Sequence, residues 1–567
     1  MTRQHRRLLL VSLVALELVA AIVLLRWLLG SHGPVPTTSS GTAGTASEVV
    51  RAPPSEPATT DQAEAAQPMR LWIEPELPAG LSAGVEEWLA RQSGFEAWTE
   101  APDADLTIGW LEQPGARPLA EILLVPVVHF YSLREEVATD ELRRLWLGQP
   151  RAPDTGSPLL ASAGTSAALD ALWGPHDPTA PVVVVPATEL TDRLWSEPDA
   201  LAIIPFDRLE PRLKPLAVDG LSILDADLDL QHYPLRATVW VEGSEDWPRL
   251  LAEEMEQKAL STNRHADRLT VLVMTGVTAL TRGVAFEIEA RGDYAWPARQ
   301  VADLLSSADL THISNEVSFM PGCELEADTW VFCARPEYLE VLRLVGADLV
   351  ELTGNHNLDF GPYYAHLSLD LYAEAGMHTF GGGRDATDAR QPLLITHNGN
   401  RLAFLGYSQF GPDYAWATEE RPGAARFSLE ALQEDLVQVR PEADLVFVSI
   451  QHTEAYTTAP LPEQVADFQA AVQAGADVVT GSQAHQPQAI EFYDGKPIFY
   501  GLGNLFFDQI WSAATRQGLM VRHLIYEGRL IASQVLPTVM DEDYQPRLAG
   551  AEERQAILQT VFAASGW

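Results

Sequence analysis

The sequence is poor in cysteine and in positive charge. Of 567 residues only two are cysteines, and 38 Lys and Arg side chains stand against 78 Asp and Glu side chains, so the formal net charge is −40. A surface this acidic repels nucleic acid and anionic lipid, which excludes nucleic acid as a partner. An anionic ligand then needs a local site made of arginine, a metal ion or the free amides at the ends of strands and helices.

The small number of cysteines also excludes a cysteine-rich metal site. Cys323 and Cys333 enclose the short segment ELEADTWVF. Two thiolates alone are too few for a structural zinc site, which normally has four ligands. Outside the cytoplasm, a pair this close in sequence is expected to form a disulfide.

A long apolar run occurs near the N-terminus. MTRQHRR precedes LLLVSLVALELVAAIVLL, which extends from Leu8 to Leu25. A basic segment followed by about 18 mostly apolar residues is typical of a signal peptide or of a membrane anchor. Because no small-residue cleavage site follows closely, we expect an uncleaved, single-pass anchor in the cytoplasmic membrane. Whether the segment is a signal peptide or an anchor, we expect the rest of the chain to lie outside the cytoplasm.

Composition and patterning divide the chain into segments. The anchor is predicted within residues 1–30, and residues 31–68 are rich in Pro, Ser, Thr, Ala and Gly, as in a disordered linker. Strands then alternate with helices in two predicted α/β units. In the second unit the strands are nearly continuous apolar runs, which predicts a sheet buried on both faces. The predicted segments after the linker are a first unit at 69–243, a helical connector at 244–267, a second unit at 268–540 and a C-terminal segment at 541–567.

Two local elements of the second unit are predicted clearly. PYYAHLSLDLYAEAG begins with Pro362, carries an apolar stripe at helical spacing and ends at Gly376, so it predicts a helix. VRHLIYEGRLIASQVL predicts a β-hairpin that turns at Glu527 and Gly528.

Several strands of the second unit are followed by polar side chains that an apolar core does not need. Ligands of a doubly wound sheet bind outside the carboxyl ends of its strands, so these groups are expected to converge on one cleft. Imidazole, amide and carboxylate groups together form a ligand set for a divalent metal such as Mn, Fe, Zn or Mg. Taken singly, each residue has a simpler explanation as a hydrogen-bonding residue of a turn. The residues concerned are Asn315, Glu316, Asn355, His356, Gln451, His452, Glu454, Gln483, His485 and Asn504.

Three stretches of the second unit resemble the CapA-type capsule-synthesis and poly-gamma-glutamate-biosynthesis family. They are GNHNLDFG, AEAGMHTFGGGRDATDAR and VQAGADVVTGSQAHQPQAIEFYDGKPIFYGLGNLFFDQ, and the similarity runs in order from Leu269 to Gln509. The resemblance implies a calcineurin-like metallophosphoesterase fold, a four-layer α/β sandwich. It also implies a role in the synthesis or export of a surface polymer, with an anionic polymer as the partner.

The same resemblance assigns roles to individual residues. His356 and Asp359 are the implied catalytic pair, although Asp359 has the alternative of capping the next helix. The implied metal ligands are Glu316, Asn355, His452 and His485. The other implied cleft residues are Asn315, Gln451, Glu454, Gln483 and Asn504.

Three positions depart from the family pattern. Val277 stands where the family has a metal-binding aspartate, and Gln451 and Gln483 stand where it has histidines. Valine is no ligand and neutral amides are weak ones, so the metal site is depleted. The second unit is therefore expected to be a metal-dependent hydrolase with a reduced ligand set or, alternatively, a non-catalytic module that binds an anionic ligand or polymer.

The first unit resembles the type-2 periplasmic solute-binding fold, in particular its phosphate-binding-like members. The resemblance is carried by VPVVHFYS with the downstream LRRLWLGQ, by LAIIPFDRLEPRLKPLAVDG and by YPLR. It implies a small anion as the ligand. Ser132, Ser162, Thr165 and Ser166 are candidates for lining an anion site, and helix capping is the alternative role for these side chains.

Overall fold

The computed structural model describes residues 69–92, 94–98, 103–149, 157–244 and 246–567. The described residues all fall in one compact unit. Among the described residues no helix is both long enough and apolar enough to cross a membrane. The predicted anchor and linker lie outside the described residues.

The first half of this unit is a mixed α/β structure. Its strands are β1 (Met69–Ile73), β2 (Phe95–Ala97), β3 (Leu106–Gly109), β4 (Arg117–His129), β5 (Glu136–Val137), β6 (Leu159–Ala161), β7 (Val182–Val184), β8 (Leu201–Pro205), β9 (Leu213–Pro215), β10 (Ala217–Val218) and β11 (Arg236–Gly243). Its helices are α1 (Ala79–Ala90), α2 (Thr139–Trp146), α3 (Ala163–Trp173), α4 (Leu190–Ser196) and α5 (Trp247–Gln257).

One sheet organises the first half. Its strand order is β2-β1-β3-β11-β4-β8-β6-β7, and β9 also pairs with β4. The long strand β4 pairs with β11, β8 and β9. Eight of its successive residues, from Ile122 to His129, are buried. Helix α5, which falls in the predicted connector, packs its buried Leu251 and Met255 into the same core. The predicted limits between the units stay a prediction.

The second half continues the alternation of strands and helices. Its strands are β12 (Leu269–Met274), β13 (Val277–Thr278), β14 (Leu310–Asn315), β15 (Leu349–Glu351), β16 (His378–Phe380), β17 (Gly382–Gly383), β18 (Leu393–His397), β19 (Asn400–Ser408), β20 (Gly423–Ala424), β21 (Leu445–Ala455), β22 (Val478–Ala484), β23 (Ile490–Tyr493), β24 (Lys496–Phe499), β25 (Asn504–Phe506), β26 (Gln517–Tyr526), β27 (Arg529–Met540) and β28 (Pro546–Leu548). Its helices are α6 (Arg282–Arg291), α7 (Ala302–Ser306), α8 (Leu339–Leu344), α9 (Pro362–Glu374), α10 (Ala386–Ala389), α11 (Leu429–Val439), α12 (Pro462–Ala474) and α13 (Ala551–Ala564).

Two larger sheets form the second half. One has the order β16-β15-β14-β12-β26-β27-β28, with β13 joining β14 to β25, and the other has the order β18-β19-β21-β22-β24-β23. Strands β12, β14, β15 and β16 are parallel to one another, as are β19, β21, β22 and β24. The carboxyl ends of each parallel set therefore share one edge of their sheet.

The two sheets pack face to face, with helices on their outer faces. Apolar side chains of both sheets, such as Met274, Phe404 and Phe447, share one core. Helices α6, α8 and α9 cover the outer face of the first of these sheets, and α11 and α12 cover that of the second. The α/β class predicted from the sequence is confirmed, and the order of layers is helix, sheet, sheet, helix.

The clearest local predictions agree with the structure. Helix α9 begins at Pro362, and Gly376, just beyond its end, adopts a φ of +79°. The predicted hairpin is formed by β26 and β27, and its turn residues Glu527 and Gly528 have φ values of +50° and +72°. Two left-handed residues in succession are what a two-residue turn between twisted strands requires.

Cys323 and Cys333 form a disulfide, with their Cα atoms 6.0 Å apart. The segment between them carries the exposed Trp330 and leads into Phe332, which is buried. The bridge therefore closes a short loop whose end is anchored in the core.

We expect the paired change Cys323→Ser and Cys333→Ser to lower the free energy of unfolding by about 2–3 kcal/mol, the chain-entropy value for so short a loop. Urea denaturation of the oxidised protein and of the variant measures the difference. Reduction of the unmodified protein should give the same loss, and an unchanged midpoint in both experiments would contradict the expectation.

Candidate functional site

The carboxyl ends of the two parallel sets meet at one place. Asn355 follows β15 in one sheet, and Gln451 lies near the end of β21 in the other, yet their side chains are hydrogen bonded at 2.8 Å. Ser314 of β14 and Ser482 of β22 make a second contact between the sheets, at 3.2 Å. Residues far apart in sequence are therefore brought to one cleft, as the strand-end pattern predicts.

A chain of three buried amides crosses the floor of this cleft. Gln451 Nε2 donates to Asn355 Oδ1 at 2.8 Å and to Gln483 Oε1 at 2.9 Å. All three residues are at least nine-tenths buried. Gln451 Oε1 is also buried and has no hydrogen-bond partner. The side-chain carbonyl oxygens of Asn355 and Gln483 thus each accept a hydrogen bond from the amide of Gln451.

His356 is held by Asp359. The Nδ1 atom of His356 lies 2.7 Å from Asp359 Oδ2, and the same oxygen accepts the backbone N–H of Phe332 at 2.8 Å. Asp359 Oδ1 accepts from the hydroxyl of Tyr414 at 3.2 Å. Asp359 makes no cap for helix α9, whose first residue is preceded by Gly361 with no side-chain capping bond. Its role is to orient the imidazole.

Charge on His356 is favoured by its neighbours. Burial lowers the pKa of His356, but the hydrogen bond to Asp359 and the negative charges of Glu316 and Asp359 outweigh it, so the pKa is raised overall. The ring of Phe332 lies 4.1 Å from the imidazole, centroid to centroid, and shields it from water. The partly shielded imidazole of His356 is therefore protonated more readily than a free imidazole in water.

Glu316 is a buried carboxyl group close enough to His356 for their charges to interact. It is 3% exposed, and burial raises its pKa to about 7, against an opposing contribution from the charge of His356. A Cβ atom at position 354 would lie 2.3 Å from the Cα atom of Glu316. Gly354 is therefore required for the close approach of the His356 loop to Glu316.

A buried ion pair supports the same wall of the cleft. Arg282 binds Asp508 through two side-chain nitrogens, and the Nε–Oδ1 distance is 3.0 Å. Asp508 also accepts the backbone N–H of Gly283 at 3.0 Å. The guanidinium group lies over the rings of Phe332 and Phe507, at 4.8 and 5.0 Å from their centroids. Arg282 thus positions the aromatic ring that covers His356.

His485 and Asn504 close the other side of the cleft. His485 Nδ1 lies 2.9 Å from Asn504 Oδ1, and burial lowers the pKa of His485 to about 4. The imidazole is therefore neutral at physiological pH. The ring of Tyr456 stacks on the imidazole of His485 with a centroid distance of 5.6 Å. The hydroxyl of Tyr456 donates a hydrogen bond to the exposed Glu454 at the mouth of the cleft.

Two of the predicted residues point elsewhere. His452 Nε2 lies 3.1 Å from Asp467 on helix α12, on the face of the sheet opposite to Gln451, because successive residues of a strand alternate. Asn315 turns its amide to the carbonyl oxygen of Val317 and to the hydroxyl of Tyr372, both at 2.7 Å. The structure therefore does not bring the predicted ligand His452 together with Glu316, Asn355 and His485.

The donor set does not fit a strong divalent-metal centre. Val277, at the position of the expected aspartate, is buried and apolar. Gln451 directs amide hydrogens at Asn355, and an N–H donor cannot serve as a ligand to a cation. Within the described ranges no group of three or more His, Cys, Asp or Glu side chains lies where it could hold a metal ion.

The sequence interpretation did not assign Arg282, Phe332 or Asp508 to the site. Arg282 and Asp508 are 226 positions apart, so no local spacing joins them. One feature of the sequence could have indicated Arg282: it is a basic residue shortly after the first strand of the second unit, in a chain with few basic residues.

The first half contains a separate cavity of about 810 Å³. Of the four residues proposed for an anion site, Ser162 and Thr165 line this cavity. Ser162 also caps helix α3, accepting the backbone N–H of Thr165 at 3.2 Å. Ser132 accepts the backbone N–H of Arg134 at 3.2 Å, and Ser166 is buried within helix α3.

Comparison with known proteins concerns mainly the second half. Residues 271–509 match the family model described as bacterial capsule synthesis protein PGA_cap. The capsule biosynthesis protein CapA of Bacillus anthracis is 28% identical over 230 residues, which are 40% of this chain and 56% of that protein. The PGA biosynthesis protein CapA of Bacillus subtilis is 28% identical over 193 residues, 34% of this chain and 51% of that protein. This chain thus spans little more than half the length of these relatives.

Solved structures give weaker similarities to both halves. An ABC-type phosphate transport receptor from Vibrio cholerae is 13% identical, with a TM-score of 0.29, over 34% of this chain and 96% of that chain. A 5'-nucleotidase from Staphylococcus aureus, crystallised with alpha-ketoglutarate, is 13% identical, with a TM-score of 0.30, over 52% of this chain and 58% of that chain. Residues 271–509 thus match the bacterial capsule synthesis family model and are similar to two CapA proteins.

Proposed function

We propose that this protein is an extracytoplasmic component of a capsule or poly-gamma-glutamate-type polymer system, held at the cell membrane by its N-terminal segment. The family of residues 271–509 supports the role in polymer synthesis or export. The basic and apolar pattern that ends at Leu25 supports the anchor.

In this proposal the cleft of the second half binds polymer and does not cleave it. The observation that carries it is the amide chain of Asn355, Gln451 and Gln483, whose hydrogen bonds are made among themselves. At these positions the side chains are neutral, and the N–H groups of Gln451 are used by Asn355 and Gln483, so that among the described residues only Gln451 Oε1 of this amide is left without a partner. What remains for an anionic ligand is the imidazole of His356 at the cleft wall, whose protonation the neighbouring carboxylates Asp359 and Glu316 favour.

The mouth of the cleft supplies contact area for a polymer. Tyr414 and Tyr456 are bound to cleft residues and are 47% and 43% exposed, and Trp511 lies 6.0 Å from Tyr456 and is 62% exposed. Rigid aromatic rings with one polar end provide large contact area at little entropic cost. Such a rim suits the repeating units of an extended chain.

Hydrolysis is the second candidate function. The order of layers in the second half agrees with the metallophosphoesterase-like sandwich that the family resemblance implies. Glu316, with a pKa of about 7, is suited to accept or donate a proton at neutral pH next to His356. This pair is the specific observation that favours a reaction.

Metal analysis and polymer binding distinguish the two candidates. We expect the detergent-solubilised full chain to retain well under one equivalent of Mn, Fe, Zn or Mg, to leave a generic phosphodiester intact, and to bind poly-gamma-glutamate. His356→Ala should weaken polymer binding at least 5-fold, because the protonatable imidazole of the cleft is removed. The exposed His378 provides the control, and His378→Ala should leave binding unchanged.

A stoichiometric metal together with hydrolysis that His356→Ala abolishes would overturn the binding proposal in favour of the hydrolase. Failure of the full chain to bind the polymer would overturn it as well.

A further inference from the structure

The cavity of the first half lies between the two ends of its sheet. Its lining includes the segment after β1 with Glu76, Trp110 after β3, and the start of helix α3, against which Glu76 lies. Arg529, at the start of β27 in the second half, completes the lining and donates to the backbone oxygen of Asp207 at 3.0 Å. Its volume of about 810 Å³ is within the range of sites for small organic ligands.

One side of this cavity offers hydrogen-bond donors. Helix α3 has 11 residues, and its first free N–H groups and the hydroxyls of Ser162 and Thr165 lie at the cavity. Trp110 is also in the lining and is 3% exposed; its indole N–H is buried and has no hydrogen-bond partner among the residues that the structure describes. Free amides and the positive end of a helix favour a carboxylate or another small anion at this position.

The side chain of Glu76 adds a carboxylate beside these donors. Glu76 is exposed and lies against the first turn of α3, so closely that a Cβ atom at Gly164 would be 2.3 Å from the carbonyl oxygen of Glu76. Its backbone has a φ of +71°, a conformation that non-glycine residues adopt at a cost. In the described part of the chain the Glu76 side chain has no ion pair or hydrogen bond. A simple anion at the helix start would be repelled by this carboxylate, whereas an ammonium group would pair with it.

Only some of the other charged groups of the lining have an ion-pair partner. Arg212 pairs with Asp192 and Glu210, and Asp207 accepts from the amide of Asn263 at 3.0 Å. Arg208 is exposed and makes no ion pair among the described residues. Among the described residues, the cavity thus presents the carboxylates of Glu76 and Asp207 without a cationic partner, the guanidinium groups of Arg208 and Arg529 without an ion pair, and a set of amide and hydroxyl donors.

We propose that this cavity binds a zwitterionic amino-acid-type ligand, such as a free amino acid or the amino end of a peptide-linked polymer, in preference to inorganic phosphate. The ligand carboxylate lies at the start of α3 with Ser162 and Thr165, and its ammonium group lies at Glu76. Arg208 at the mouth attracts a further carboxylate of an acidic side chain. Only the source of the ligand, a surface polymer, rests on the function proposed above.

Calorimetric titration of the full chain with L-glutamate, N-acetyl-L-glutamate and inorganic phosphate tests this. L-glutamate should bind, and the acetylated compound, which lacks the ammonium group, should bind at least 10-fold more weakly, as should phosphate. Glu76→Gln should weaken L-glutamate at least 10-fold, and Arg208→Ala about 5-fold. The exposed Glu112 of the same half serves as the control, and Glu112→Gln should have no effect.

Phosphate binding as tight as that of L-glutamate, equal affinity for the acetylated compound, or no binding of L-glutamate would overturn the proposal. His356→Ala separates this site from the cleft of the second half, since it should leave L-glutamate binding unchanged. Loss of polymer binding with intact L-glutamate binding would count against the proposed function alone.

Discussion

Replacement of Arg282 by alanine is expected to lower the free energy of unfolding by about 3–5 kcal/mol, the usual cost of leaving one member of a buried ion pair alone. The side chains of Arg282 and Asp508 are only 10% and 11% exposed. Asp508 would keep one backbone partner, the N–H of Gly283 at 3.0 Å. The rings of Phe332 and Phe507 would also lose the cation that lies over them.

Two further variants decide what the loss means. The double change Arg282→Met with Asp508→Leu should recover much of the stability, because no uncompensated charge is then buried. Arg299→Ala, in an ion pair with Asp293 whose arginine is exposed, should leave the free energy of unfolding nearly unchanged, because solvent screens such pairs. Urea denaturation measures all three, and a loss below about 1 kcal/mol in Arg282→Ala would show that the pair is not buried as described.

The second large effect is the pH dependence due to Glu316. Burial raises the pKa of this carboxyl to about 7 in the folded protein, from an ordinary value of 4.5. Between these two values the folded state binds more protons than the unfolded state, so the free energy of unfolding falls as the pH rises. The total loss across this window is about 3 kcal/mol, since one pKa unit corresponds to about 1.4 kcal/mol. Above pH 7 both states are ionised and the loss is complete.

Glu316→Gln tests this sign directly. The amide has nearly the same shape as the protonated acid and does not ionise, so the variant should equal the unmodified protein near pH 4, below the unfolded pKa, and exceed it by about 3 kcal/mol at pH 8. Glu454→Gln, at an exposed position of the same cleft, should not change the pH profile in this way. Parallel stability curves for Glu316→Gln and the unmodified protein between pH 5 and 8 would contradict the expected ionisation.

The position of polar residues at strand ends predicted where the cleft lies, but it did not predict which of these side chains point into the cleft. Parallel strands necessarily bring their carboxyl ends to one edge, so Asn355, Gln451 and Gln483 were expected to meet, and they do. Asn315 and His452 follow strands in the same way but point to helices on the outer faces. A strand reverses its side chains at each residue, and a shift of one position at the strand end decides between cleft and core.

The sequence by itself determined the elements whose causes are local. Proline and glycine bound helix α9, Glu527 and Gly528 turn the hairpin, and the apolar runs form the buried parallel strands, because each depends on the dihedral preferences or burial of a few neighbouring residues. It also determined that Val277, Gln451 and Gln483 lack the charge and basicity of metal ligands.

Only the tertiary structure decided which of the remaining groups interact. The pairing of Arg282 with Asp508, the amide chain through Gln451 and the near-neutral pKa of Glu316 arise from contacts between segments up to 226 positions apart. Their energies depend on burial and on distances of a few ångströms. Neither quantity is present in a residue's type or in its spacing along the chain, and both appear only when the two sheets pack together.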